Sequence, residues 1–238
     1  ESFRTDSSIQ RDLEELFTED NFFEFSEHDQ RINNTRAKYQ SIIKKYDFEK
    51  KIEFSATSTS DLLLSSPNGE NLPLILLQNK NLRKEVGEYF KDYSLNLVVN
   101  SDGNSLEVQK NVDGIVYKYP YELTADTLQR MLFHIAAIES NENNILLFEE
   151  PESHTYPPYI WELANKIVQS ESNQFFIATH SPYLFDTILE TTPLEELGLF
   201  ITYFEDYQTK VKQVTDEKEI RQIMDVDIFM NLDNFIPA

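Results

Sequence analysis

Two groups of reactive side chains stand thirty residues apart, Glu149-Glu150 and His180. Glu149 and Glu150 follow at once on an apolar run, residues 145–148 (ILLF). His180 follows on a second run, residues 175–178 (FFIA), within Thr179-His180-Ser181-Pro182. Adjacent carboxylates at a strand end can divide a task. One can hold Mg2+, an ion that keeps several waters and takes few protein ligands. The other can orient or deprotonate an attacking water. An imidazole at the next strand end can donate to a phosphate oxygen and sense its presence. Taken singly, the acids also suit a strand end meeting solvent, and the histidine suits a turn bonded to backbone. It is the pairing of the two groups across one helix that points to a site.

These side chains need a frame. Residues 145–148 suit a strand buried on both faces, and Pro151 stops its ladder. Residues 159–169 read as helix and residues 175–178 as a second strand. Strand, helix, strand is a βαβ unit, and open α/β sheets bind ligands at the carboxyl ends of such strands. Just upstream, Leu128, Met131, Leu132, Ile135 and Ile138 give a helical stripe over residues 124–139, with Thr124 as N-cap and Asp126 in the first turn.

The remaining chain supplies further elements. Ile9, Leu13, Leu16 and Phe17 have helical spacing, Phe22, Phe23 and Phe25 form an aromatic cluster, and Tyr39, Ile42, Ile43 and Tyr46 extend a helical pattern over residues 33–46. Residues 52–59 have β character, residues 65–69 signal a turn, and the apolar run 72–77 is open between strand and helix. Residues 79–93 read as helix. Three short alternating segments, 95–99, 105–110 and 115–119, separated by Asp102-Gly103-Asn104 and Asp113-Gly114, predict a β meander. After residue 182 come a short helix, a hairpin pairing 197–203 with 210–214, and a last helix capped at Asp216.

The segments ILLFEEPESH and FFIATHSPYL resemble the Walker B and switch-histidine segments of ABC-type ATPases, in the branch with the overcoming-lysogenisation-defect nucleases and related AAA ATPases of bacterial defence and recombination systems. The resemblance implies an α/β fold, the distal half of an ABC-type P-loop core, with a mainly parallel sheet and helices, a helical lobe and a β meander. It implies ATP and Mg2+ as cofactors, Glu149 as the Mg2+-associated acid, Glu150 as the catalytic base and His180 as the switch histidine. Glu152 and His154 fall in the stretch corresponding to the D-loop, which meets the partner subunit. ELTADTLQRMLFHIAAI occupies the place of the signature segment, whose helix N-terminus meets the γ-phosphate bound by the other subunit. Free N–H groups there favour an anion. Thr124, Ala125, Asp126 and Thr127 would line it, with Arg130 one turn on. The segment lacks the Gly of the usual Ser-x-Gly pattern, and Asp126 brings a negative charge. Tyr156 replaces the second His of the branch's His-Leu-His-Pro. Gln78 compares with the Q-loop glutamine or is an ordinary exposed amide.

A phosphate-binding loop needs Gly-x-x-x-x-Gly-Lys-Ser/Thr so that backbone amides cradle phosphates and Lys reaches them. None of the five glycines precedes Lys-Ser or Lys-Thr. The expectation is therefore the C-terminal part of a longer ATPase, with a degenerate, nucleotide-free ATPase as the alternative. Its divisions are a mainly helical lobe (1–94), a connecting meander (95–123) and the core half (124–238). The expected partner is a second ATPase subunit, in a homodimer or higher oligomer. A rival reading is an ATP-dependent scaffold or sensor of an anti-phage complex holding a separate effector.

Composition limits the alternatives. With 42 acidic against 21 basic residues the formal charge is −21, a field that repels a nucleic-acid backbone. There is no apolar run of the ~18–20 residues a membrane helix needs. The absence of cysteine excludes disulfides and thiolate metal sites and accords with a cytoplasmic location.

Overall fold

A computed structural model describes residues 42–55, 62–101 and 104–236, all within the unit Gln40–Ala238. The expected helix around Ile9–Phe17, the aromatic cluster of Phe22, Phe23 and Phe25, most of residues 33–46 and the Asp102-Gly103 turn lie outside the described residues.

In chain order the elements are β1 (Ile43–Tyr46), α1 (Leu72–Gln78), α2 (Lys80–Lys91), β2 (Asn96–Val99), β3 (Leu106–Val112), β4 (Ile115–Pro120), α3 (Asp126–Ser140), β5 (Ile145–Glu149), α4 (Pro157–Val168), β6 (Gln174–Ala178), α5 (Pro182–Thr191), β7 (Leu199–Glu205), β8 (Gln208–Val214) and α6 (Glu217–Met224). They form a parallel sheet in the order β1-β5-β6, the antiparallel meander β2-β3-β4 and the hairpin β7-β8. The expected mixed α/β architecture with its βαβ unit, meander and terminal hairpin is present.

Four local expectations need correction. Residues 43–46 are strand, not the end of a helix. Tyr46 of β1 lies opposite Phe148 of β5, which in turn lies opposite Ile177 of β6. Ile42, Ile43 and Tyr46 satisfy a helical period, but they are also strong strand formers, and a neighbouring strand decides such short runs. Residues 52–55 form no strand. In the parallel sheet, Leu146 and Phe148 are buried while Ile145 and Leu147 are only partly so, and Phe176 is 48% exposed. Burial thus alternates, instead of covering both faces. Finally, α3 is capped at Ala125, with no side-chain cap bond; the Thr124 hydroxyl is buried without a partner. The undecided run 72–77 is helix α1, opened by Pro73, whose missing N–H costs nothing in a first turn.

α3 holds the core together. Beyond its expected stripe it buries Phe133, His134, Ala136 and Ala137, so it is apolar nearly all round, the pattern of a central helix. Leu146 and Phe148 of β5, Tyr46 of β1, Leu163 of α4 and Val108 of β3 share one cluster with it. Full burial of each large side chain contributes about 1.5–3 kcal/mol. The Phe148 ring meets Tyr46 at 6.2 Å and His134 at 5.4 Å. α4 also joins α5, through Ile160, Ala164 and Leu184. A separate cluster ties β7, β8 and α6 through Ile201, Val214, Ile220 and Ile223.

A turn braces the end of β1. Tyr46 Oη donates to Leu64 O (2.8 Å), Ser66 Oγ to Lys45 O (2.6 Å) and Asp47 N to Pro67 O (3.0 Å). Gly69 closes this turn at φ +65°, and a Cβ there would lie 2.9 Å from the Phe133 ring, so the turn can approach α3 only with glycine. Among the described residues, no helix is long and apolar enough to cross a membrane.

Candidate active site

Parallel register brings the chemistry to one edge. Glu149 lies opposite Ala178, and Thr179-His180 leave β6 directly beyond it. The Glu150 N–H still donates to Ala178 O (2.8 Å), so the ladder holds until the chain turns. Glu150 then takes φ +43° and His154 φ +57°. The left-handed region costs a non-glycine residue about 1–2 kcal/mol and persists only where neighbours enforce it. Here Pro151 ends the strand, while Ser153 N donates to Glu150 O and Thr155 N to Glu152 O, both at 3.0 Å.

The two adjacent acids diverge. Glu149 Oε2 accepts from Lys45 Nζ at 3.1 Å, and Lys45 also reaches Asp47 Oδ2 at 3.2 Å. Bonds to Glu149 and then Asp47 raise the Lys45 ammonium above its ordinary value and keep it charged. Glu150 Oε2 accepts from Ser153 Oγ (2.9 Å), and its Oε1 lies 3.7 Å from His180 Nε2. The side chains of Glu149, Glu150 and His180 are 64%, 49% and 81% exposed, open to an incoming ligand.

Glu152 behaves differently. It is 7% exposed, and its Oε1 accepts from Thr179 Oγ1 (2.5 Å) and from the His180 N–H (3.2 Å) of its own chain. The His154 carbonyl accepts from Thr127 Oγ1 (2.9 Å), joining the first turn of α3 to the turn after β5. Asp126 Oδ2 accepts from Arg130 Nε (3.1 Å), and the Arg130 guanidinium also lies 4.6 Å from the Phe48 ring centre, so a cation offsets the acid at the helix start. The Thr124 carbonyl accepts from Gln129 Nε2 (2.8 Å), and Ala125 is exposed.

Glu149, Glu150, Glu152, His154, His180 and Thr127 therefore share one connected neighbourhood, whereas Thr124 is turned into the protein. Lys45 and Asp47 were not among the sequence candidates. Their strand, Ile43-Lys44-Lys45-Tyr46, leads into an acid as β5 does, but it lacks the continuous apolar run of β5 and its helical period concealed it.

The donor set suits a hard cation held mainly by another ligand. Among the described residues no three acidic or histidine side chains converge on a metal position. One or two carboxylates with waters and phosphate oxygens is the way Mg2+ is held in nucleotide sites.

Comparison with known proteins gives a matching family, "AAA domain, putative AbiEii toxin, Type IV TA system", over residues 1–186. The chain belongs to this family. It is thus a chain of the AAA-type P-loop ATPase class, for which nucleotide binding is implied. No curated protein matches it. Among solved structures, it is similar to an SMC ATPase chain from work on ATP-driven dimerisation and DNA-stimulated activation (13% identity, 70% of this chain and 99% of that one, TM-score 0.44). It is also similar to an Smc head bound to the C-winged helix domain of ScpA (16%, 62% and 46%, TM-score 0.44). A third is an Smc head with an extended coiled coil bound to the C-terminal domain of ScpA derived from Pyrococcus furiosus (17%, 65% and 39%, TM-score 0.41). The chain spans less than half of the latter two.

Proposed function

We propose that the turns after β5 and β6 form the hydrolytic half of a Mg-ATP site. The observation that carries this is the approach of Glu150 Oε1 to His180 Nε2 at 3.7 Å, from two strand ends, with Glu150 held in a left-handed turn. In this reading Glu150 orients the attacking water and takes its proton, Glu149 holds the Mg2+ shell, and His180 donates to the γ-phosphate. The bound Mg2+ would offset phosphate charge. Lys45 pairs with both Glu149 and Asp47, so the two acids do not face each other unscreened.

The start of α3, with Ala125, Asp126 and Thr127, is proposed to face nucleotide held by a second subunit, while Thr124, expected to line it too, is turned inward behind that edge. Glu152 and His154 shape the adjoining turn at that subunit boundary. Arg130 beside Asp126 supports this placement, because it removes much of the repulsion an acid would offer a phosphate. ATP would then close a homodimer or higher oligomer, and hydrolysis would open it. We infer a bacterial defence or DNA-associated process. The toxin–antitoxin wording of the family description supports the defence side, and the acidic charge makes direct nucleic-acid binding by this chain unfavourable.

The test is Mg2+-dependent ATP turnover by the full-length protein, wild type against Glu150→Gln and His180→Ala. Both changes should depress turnover, and undiminished hydrolysis in Glu150→Gln would overturn the assignment. Native co-purification separates a self-sufficient ATPase from an ATP-dependent scaffold: a stable second protein favours a separate effector.

A further inference from the structure

Glu152 differs from the two acids that precede it. They face solvent, whereas it is buried, and its hydrogen bonds run to the turn that carries His180. Its Oε1 receives the Thr179 hydroxyl and the His180 N–H, while its Oε2 is buried with no partner. Thr179 Oγ1 in turn accepts the Ser181 N–H (3.0 Å), and Ser181 Oγ accepts the Leu184 N–H (3.4 Å) at the start of α5. One carboxylate oxygen therefore governs the backbone from 179 to 181 and, through Ser181, the first turn of the following helix.

The His180 side chain is held much less firmly. It is 81% exposed; its ring lies 3.7 Å from Glu150 Oε1 and 6.4 Å, between centroids, from the Phe229 ring. Neither contact is a short hydrogen bond. The position of the imidazole must therefore be set from its backbone. A buried oxygen that accepts both an N–H and a hydroxyl ties the two groups to one point, and leaving those donors unmet would be costly. Its location three residues beyond β5 makes the position of one strand-end turn depend on the other.

We propose that Glu152 is a positioning residue for His180, acting through Thr179 Oγ1 and the His180 N–H to aim the imidazole at the place Glu150 also faces. This rests on the ATP-site reading for its catalytic consequence, but the positioning itself does not. A residue needed only for packing would weaken the protein without acting through His180.

The experiment uses the full-length protein with labelled histidine, in wild type, Glu152→Ala, Glu152→Gln, Thr179→Val and Thr179→Ser. The His180 ring resonance is assigned by its loss in His180→Ala. Glu152→Ala and Thr179→Val should shift or broaden that resonance. Glu152→Gln, which keeps an acceptor, and Thr179→Ser, which keeps the hydroxyl, should leave it near wild type. ATP kinetics supply the second readout. Glu152→Ala should lower kcat about tenfold with unchanged ATP affinity, and should have almost no further effect in a His180→Ala background. An unmoved His180 resonance, or equal kcat losses with and without His180, would overturn the proposal. If Glu152→Ala does not fold, the Thr179 pair decides by the same criteria. If Glu150→Gln retains full turnover while the His180 resonance responds as expected, the ATP-site reading fails and the positioning role stands.

Discussion

Asn141, Asn144 and Asn173 stand in the loops that lead into β5 and β6, where amide hydrogen bonds close on one another. Glu149, Glu150 and His180 stand in the turns that leave the same strands, facing solvent. On the leading side, Asn141 Nδ2 donates to Tyr46 Oη and to Ala137 O, both at 2.7 Å, and Asn141 Oδ1 accepts from Lys44 Nζ at 2.9 Å. Asn173 Nδ2 donates to Asn141 O (2.8 Å), and Asn173 Oδ1 accepts from Asn144 N (3.2 Å). Buried amides here meet their hydrogen-bonding needs inside the protein. The leading loop has one left-handed residue, Asn143, of a type that tolerates that region, whereas on the leaving side Glu150 and His154 take it, acids crowd together and a buried oxygen of Glu152 lacks a partner. The same strands thus separate two tasks. One end stores stability in satisfied polar groups, and the other holds the strained and underused groups that the proposed ATP site would use.

That contrast can be broken from either side. The largest stability effect is expected at Asn141. Asn141→Ala removes two donated bonds and the acceptor used by Lys44, and should cost about 2–4 kcal/mol in urea melts. Turnover per folded molecule should stay within about twofold of wild type; a large selective loss of turnover would show that the two ends are not separate in function.

Next comes His134, wedged between α3 and β5. Burial, and secondarily the Arg130 charge, lower its pKa from the usual 6.5 to about 3. The folded imidazole is therefore neutral while the unfolded one gains a proton below 6.5. Its contribution to stability is complete above that pH and is lost progressively as pH falls toward 3. At pH 4.5 the loss should be about 2–3 kcal/mol relative to pH 7. His134→Leu should flatten this part of the stability profile; an unchanged slope would place the acid sensitivity elsewhere.

How legible was all this in the sequence? The βαβ unit and its end groups were readable because apolar runs, Pro151 and the acids lie within a few residues of one another. The terminal hairpin was readable because two strand-like runs flank a short polar stretch, Glu205-Asp206-Tyr207-Gln208; the strands in fact run on to Glu205 and from Gln208, leaving Asp206-Tyr207 as a tight turn with positive φ at both residues. β1 was not readable. Its four residues fit two periods, and only pairing with β5, a hundred residues away, selects the strand. Lys45 and Asp47 were missed with it. Glu152 was visible as a residue but not as an inward-facing one, because direction depends on the left-handed turn at Glu150. The Thr124 cap failed because the helix starts one residue later than its side chain can serve.

The smallest expected effect tests the leaving side. Lys45 and Glu149 are both largely exposed, so Lys45→Met should change stability by less than about 1 kcal/mol in thermal melts, despite removing two ion pairs. A larger loss would mean that this edge contributes to stability after all, blurring the contrast with the Asn141 side.

Hydrolysis at the leaving edge is the function proposed for this chain. It is tested most directly by measuring ATP affinity and single-turnover cleavage together in full-length Glu150→Gln. ATP affinity should stay close to wild type and cleavage should slow by about 10²–10⁴, the usual contribution of a general base. Cleavage at the wild-type rate, with ATP bound normally, would contradict it.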